Sequence, residues 1–107
     1  MSTFIETDDA KYEVEIKKYT GAMLVLFKSE WCASCKRLFP VAEKVSEAYK
    51  EKAKFVWTDA AKNLKVATEF GVLAIPTVII FKGGVEKARN IGYMPEDALK
   101  AFIDKNA

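Results

Sequence analysis

Residues 23–27 read Met-Leu-Val-Leu-Phe, five apolar side chains in succession with no polar residue between them. Successive side chains of a strand point to opposite faces, so a strand with one wet face alternates apolar and polar residues. A strand without alternation is buried on both faces, which requires a layer packed on each side of its sheet. Thr77-Val78-Ile79-Ile80-Phe81 repeats the pattern. Two such strands in a chain of 107 residues point to an α/β architecture: a central mixed sheet flanked by helices on both faces, formed as one domain over residues 1–107.

The remaining elements fit between these strands. Phe4 and Ile5 form a short edge strand. Thr7 or Asp8 caps a helix with apolar positions Tyr12, Val14, Ile16 and Tyr19, stopped by Gly21. Leu38, Val41, Ala42, Val45, Ala48 and Tyr49 recur at helical spacing, with Pro40 inside the run as a source of a kink. Residues 54–58 are a strand. Leu64, Ala67 and Phe70 mark one face of a shorter helix ending at Gly71. Gly83-Gly84 turns the chain into a strand over 85–91. Pro95 opens a last helix with Glu96 and Asp97 in its first turn and Leu99, Phe102 and Ile103 inward. The order is β α β α β α β β α. Strands joined through helices are expected to pair in parallel, and the Gly-Gly hairpin adds an antiparallel strand.

The absence of histidine removes several chemistries at once: a Ser-His-Asp triad, a Cys-His pair, a histidine base and a His-ligated zinc. Seventeen basic against fifteen acidic residues leave a formal charge of +2, which offers no footprint for nucleic acid or an anionic membrane. The stretch MSTFIETDD has neither the basic start nor the apolar run of a signal peptide, and no apolar run is long enough to cross a membrane, so a cytoplasmic location is expected. Two cysteines, Cys32 and Cys35, cannot complete a four-ligand metal site within one chain, so no metal is expected.

The two cysteines follow a buried strand and open a helix. Free N–H groups and the helix dipole favour an anion there, so the first thiol ionises more readily than a free cysteine. The thiolate is the attacking species in disulfide exchange. A second thiol one turn later can displace the mixed disulfide. Lys36 adds positive charge, and Trp31 offers an aromatic shoulder for a protein substrate.

Over nearly its whole length the chain resembles the thioredoxins. The matching pieces are Glu30-Trp31-Cys32-x-x-Cys35-Lys36, Pro40, Phe70-Gly71-Val72, Ile75-Pro76-Thr77, Phe81-Lys82-x-Gly84 and Gly92. The resemblance implies the thioredoxin fold and a protein-disulfide reductase, with Cys32 as nucleophile and Cys35 as resolving thiol. It implies a cis proline at Pro76 facing the disulfide. Substrate would lie along Trp31, Ile75, Pro76, Ile91, Gly92 and Tyr93, with Ile75 offering backbone hydrogen bonds to an extended segment. No bound cofactor is implied beyond the Cys32–Cys35 disulfide. The implied partners are disulfide-containing proteins and a thioredoxin-reductase-like electron donor, with the chain acting as a monomer.

The sequence departs from the family in three places. Ala33-Ser34 stands where Gly-Pro is usual, which removes a restraint at the helix start and adds a hydroxyl that can cap the helix. Leu26 and Trp57 replace a buried aspartate and its lysine partner, which are thought to help move the resolving thiol's proton; apolar neighbours raise that thiol's pKa instead. Lys28 replaces a tryptophan and reads as a solvated strand-end lysine, the alternative being a charge supplied near the thiols and countered by Glu30. Disulfide oxidation or isomerisation would use the same residues. A binding module with little turnover and a metal site shared between two chains are the other classes compatible with the motif.

Overall fold

The computed structural model describes residues 3–107. Strands β1 (Phe4–Glu6), β2 (Ala22–Lys28), β3 (Lys54–Asp59), β4 (Thr77–Lys82) and β5 (Val85–Ile91) form one sheet in the order β1-β3-β2-β4-β5. Helices α1 (Ala33–Tyr49), α2 (Leu64–Glu69) and α3 (Glu96–Asn106) pack on it, with a five-residue π-helical turn, Glu13–Lys17.

The apolar run of β2 serves two cores. Leu24 and Leu26, with Phe55, Val78 and Ile80, pack under α1 and α3 through Leu38, Val45, Leu99 and Ile103. Met23, Val25 and Phe27, with Val56, Ile79 and Phe81, pack against Tyr12, Ile16 and Val66 on the opposite face. Full burial of each such side chain contributes about 1.5–3 kcal/mol. A polar residue on either face of β2 would therefore be buried, which is why alternation is absent.

Strand direction departs from the expectation for helix-linked strands. β1 and β2 both run parallel to β3, but β4 runs antiparallel to β2 although a helix precedes it. The reason is the length of α2. Six residues make about 9 Å of helix, too short to carry the chain back along a strand of about 20 Å. The chain re-enters the sheet at the end it left, so that Phe27 aligns with both Thr58 and Thr77.

Three apolar assignments also change. The first helix is a single π-helical turn, which shows the sheet one face; Tyr12 and Ile16 fill it, and Val14 lies in solvent. In α2 the buried residues are Val66 and Ala67, while Leu64 at its first position is exposed. Ala48 likewise faces solvent. Asp8 caps the turn before the π-helical segment, its Oδ1 accepting from the Ala10 and Lys11 amides, while the N-cap of that segment is Tyr12, which makes no side-chain cap hydrogen bond. Pro40 is absorbed within α1, which runs unbroken to Tyr49.

Two ties hold the periphery. Gly84, at φ +77°, approaches the Lys17 carbonyl so closely that a Cβ would lie 2.3 Å from its oxygen. Arg89 of β5 donates to the carbonyls of Phe70, at 2.6 Å, and Gly71, at 3.3 Å, where α2 ends.

Candidate active site

The sheet register brings the sequence-derived residues to one end of the molecule. Phe27, Thr77 and Ile91 lie in line across β2, β4 and β5. The segments beyond them are the approach to α1, the Ile75–Pro76 bond and the turn at Gly92. The Ile75–Pro76 bond is cis. The Gly92 amide donates to the Pro76 carbonyl at 2.8 Å. The Arg37 guanidinium lies 4.2 Å from the centre of the Tyr93 ring, tying this turn to α1.

Cys32 and Cys35 are joined as a disulfide, with Cα atoms 5.1 Å apart. Cys32 has the extended backbone of an N-cap, φ −97° and ψ 111°, and its Sγ accepts from the Cys35 amide at 3.2 Å. The Cys32 carbonyl accepts from the Lys36 amide. The cap is thus the first cysteine rather than Ser34. The first turn of α1 contains no acidic residue, so the positive end of its dipole falls on sulfur without a carboxylate to offset it. Cys32 is half-buried, whereas Cys35 is only 1% exposed. Ala33 is exposed and Ser34 half-buried.

The two sides of the pair differ. On the open side Trp31 is 88% exposed and Ile91 62%. Ile75 packs its side chain toward the Val66 core. Leu73, 99% exposed, stands in the same 71–76 loop and was missed in the sequence. Its signal was Val72-Leu73-Ala74-Ile75, an apolar run between a helix stop and a proline that fits neither helix nor strand.

On the other side Leu26 is completely buried and aligns with Trp57, both facing α1. Lys28 is not simply solvated. Its Nζ lies 4.4 Å from the Trp57 ring centre and 5.1 Å from that of Phe39. Glu30 accepts from Lys62 Nζ at 2.8 Å. That hydrogen bond holds the Glu30 carboxyl below its usual range and raises Lys62. A cleft of about 450 Å³ opens here, lined by Lys28, Glu30, Cys35, Lys36 and Phe39 among others. A cleft of similar size at the opposite end of the sheet, between Ile5, Tyr19, Ala53 and Phe55, contains no thiol. Among the described residues no group of three or more His, Cys, Asp or Glu side chains could hold a metal, and no helix is long and apolar enough to cross a membrane.

The thioredoxin family model matches residues 3–105. This chain belongs to the thioredoxin family. It is 33% identical to a thioredoxin of Pseudomonas aeruginosa, over 95% of this chain and 94% of the relative. It is 33% identical to thioredoxin C-2 of Corynebacterium nephridii, over 98% and 97%. It is 30% identical to thioredoxin 1 of a Nostoc species, over 99% of each. Family membership and the paired cysteines identify the thioredoxin-family chain as a thiol-disulfide oxidoreductase, a disulfide reductase acting by dithiol exchange.

Proposed function

We propose that residues 1–107 form a single thioredoxin-like domain in which Cys32 is the nucleophile and Cys35 the resolving thiol. The reading is carried by one observation: Cys32 caps α1 with its sulfur on the Cys35 amide, while Cys35 itself is buried. A helix N-terminus favours the thiolate at Cys32. Cys32 attacks a substrate disulfide, forming a mixed disulfide and releasing one substrate thiolate. Cys35 then attacks Cys32 Sγ, re-forming the intramolecular disulfide and releasing the second. An electron donor of the thioredoxin-reductase type restores the dithiol, and no bound cofactor takes part.

Substrates are disulfide-containing proteins presenting an extended, partly apolar segment. The segment lies over Trp31, Leu73 and Ile91 and pairs with the Ile75 backbone beside Pro76, Gly92 and Tyr93. Ala33, Ser34 and Lys36 at the helix start, and Leu26 and Trp57 beneath it, modulate the equilibrium between dithiol and disulfide. The protein acts as a cytoplasmic monomer, with neither nucleic acid nor membrane as partner.

Two measurements test this reading. In a protein-disulfide reduction assay Cys32→Ser is inactive. Cys35→Ser accumulates a covalent substrate adduct, visible by intact mass. Adduct formation by Cys32→Ser would reverse the two roles. Equilibration of the wild-type pair in graded redox buffers gives a midpoint at about −270 mV for a reductant of this type. A midpoint between about −180 and −120 mV would assign disulfide formation or isomerisation to the same residues.

A further inference from the structure

The resolving step has a proton to lose, because a thiol must become a thiolate before it attacks. Under α1 the core positions at Leu26 and Trp57, aligned across β2 and β3, carry no ionisable group to take that proton. The cleft that Cys35 lines holds two lysines, Lys28 and Lys36, and the carboxylate of Glu30, which Lys62 engages. Lys28 shares the α1-facing side of β2 with Leu24 and Leu26, one alternation further on. Its ammonium rests over two aromatic faces, Trp57 and Phe39, which meet edge to face at 5.6 Å. Phe39 follows Cys35 by four residues in α1, so the two occupy the same face of the helix on adjacent turns. Cys35 and Lys28 line one cleft.

Rings attract a cation without neutralising it. Among the described residues Lys28 forms no ion pair within 4 Å. The other charged groups nearby are accounted for. Glu30 is engaged by Lys62. Asp59, aligned with Lys28 in the register, is buried, with Oδ1 accepting from the Ala61 and Lys62 amides. Lys36 lines the cleft and is exposed, and Glu6 lies on β1 beside Trp57.

We propose that Lys28 is a positioning residue for the resolving thiol: its aromatic-held ammonium favours the Cys35 thiolate, and the thiol's proton leaves directly to water in the adjoining cleft. The proposal rests on Cys35 being the resolving thiol. The step balances without a further reagent. Cys35 gives its proton to water. Its electron pair forms the bond to Cys32 Sγ. The Cys32–substrate bond breaks, and its pair leaves on the substrate sulfur, which is protonated by solvent. A cation beside a thiol lowers the cost of the anion; it accepts no proton itself.

The test is stopped-flow resolution of a preformed mixed disulfide between Cys32 and a small aromatic thiol, from pH 6 to 10, in wild type, Lys28→Gln and Lys28→Arg. Lys28→Gln is expected to slow release about three- to tenfold at pH 7. Its rate rejoins wild type at high pH, where Cys35 is ionised in both. Lys28→Arg keeps most of the wild-type rate. High salt slows wild type toward Lys28→Gln, a readout that stands even where a variant folds poorly. A uniform slowing of Lys28→Gln at every pH, or an unchanged profile, overturns the proposal. If wild type does not release the thiol at all, the role given to Cys35 fails instead.

Discussion

Cys32 and Cys35 are three residues apart but occupy different media. Cys32 sits at the rim, on a helix N-terminus, next to the exposed Trp31. Cys35 lies inside, on a cleft it shares with Lys28, Glu30, Lys36 and Phe39, while Leu26 and Trp57 pack in the core under the same helix. The difference teaches that one Cys-x-x-Cys motif carries two separable problems. Capture depends on the helix cap and the exposed surface. In the roles proposed above, release depends on how a buried thiol sheds a proton, and the cleft it lines sets Lys28 and Lys36 against a Glu30 already engaged by Lys62.

The largest effect that would break this contrast comes from restoring an acid. Leu26→Asp places a carboxylate at a site with no exposure and is expected to cost about 3–5 kcal/mol in urea denaturation. Adding Trp57→Lys returns part of that loss, with a coupling of about 1–3 kcal/mol, because the two positions align across β2 and β3. A loss below about 1 kcal/mol for Leu26→Asp would mean that the core under α1 is wet at this position.

A middle-sized effect separates the site end of the sheet from the far end. Gly84→Ala forces a side chain onto a positive-φ residue and into the Lys17 carbonyl. It is expected to destabilise by about 1–3 kcal/mol while leaving the disulfide-exchange rate of the folded protein unchanged. A changed rate would show that the hairpin is coupled to the thiols.

The smallest effect concerns the opposite face. The Tyr12 phenol is pushed up to about 12, first by its hydrogen bond to Glu69 and then by burial. Folding favours the neutral phenol, so its contribution is complete below about pH 10, the unfolded value, and is lost as pH rises toward 12. Tyr49 is raised as well, by burial and by Asp104. Denaturation curves from pH 8 to 12 should therefore decline at the alkaline end, and Tyr12→Phe should remove part of that decline. An identical decline in Tyr12→Phe would place its source elsewhere.

Much of this architecture was legible in residue order. The unbroken apolar runs at 23–27 and 77–81 required two packed faces, and the glycines at 83 and 84 marked the hairpin. Strand direction was not legible, because it turned on how little distance the six residues of α2 cover. Leu64 and Val14 misled because in elements of one or two turns a single residue decides which face is inward. At the site, the thiols and the departures at Leu26 and Trp57 could be named in advance. The setting of Lys28 could not: Trp57 lies on β3 and Phe39 on α1, and the three meet only where α1 packs over the β2–β3 pair.

Arg89 has a consequence for the loop that precedes Pro76. The loop is pinned where it begins, by guanidinium bonds to the Phe70 and Gly71 carbonyls, and where it ends, by the Gly92–Pro76 hydrogen bond. Between these anchors Leu73 projects from a backbone with little freedom left to lose. Much of the ordering cost that a recognition loop meets when it closes on a partner is then met during folding, ahead of any encounter. On the substrate reading proposed above, a surface held in this way would meet an incoming chain without first having to assemble itself.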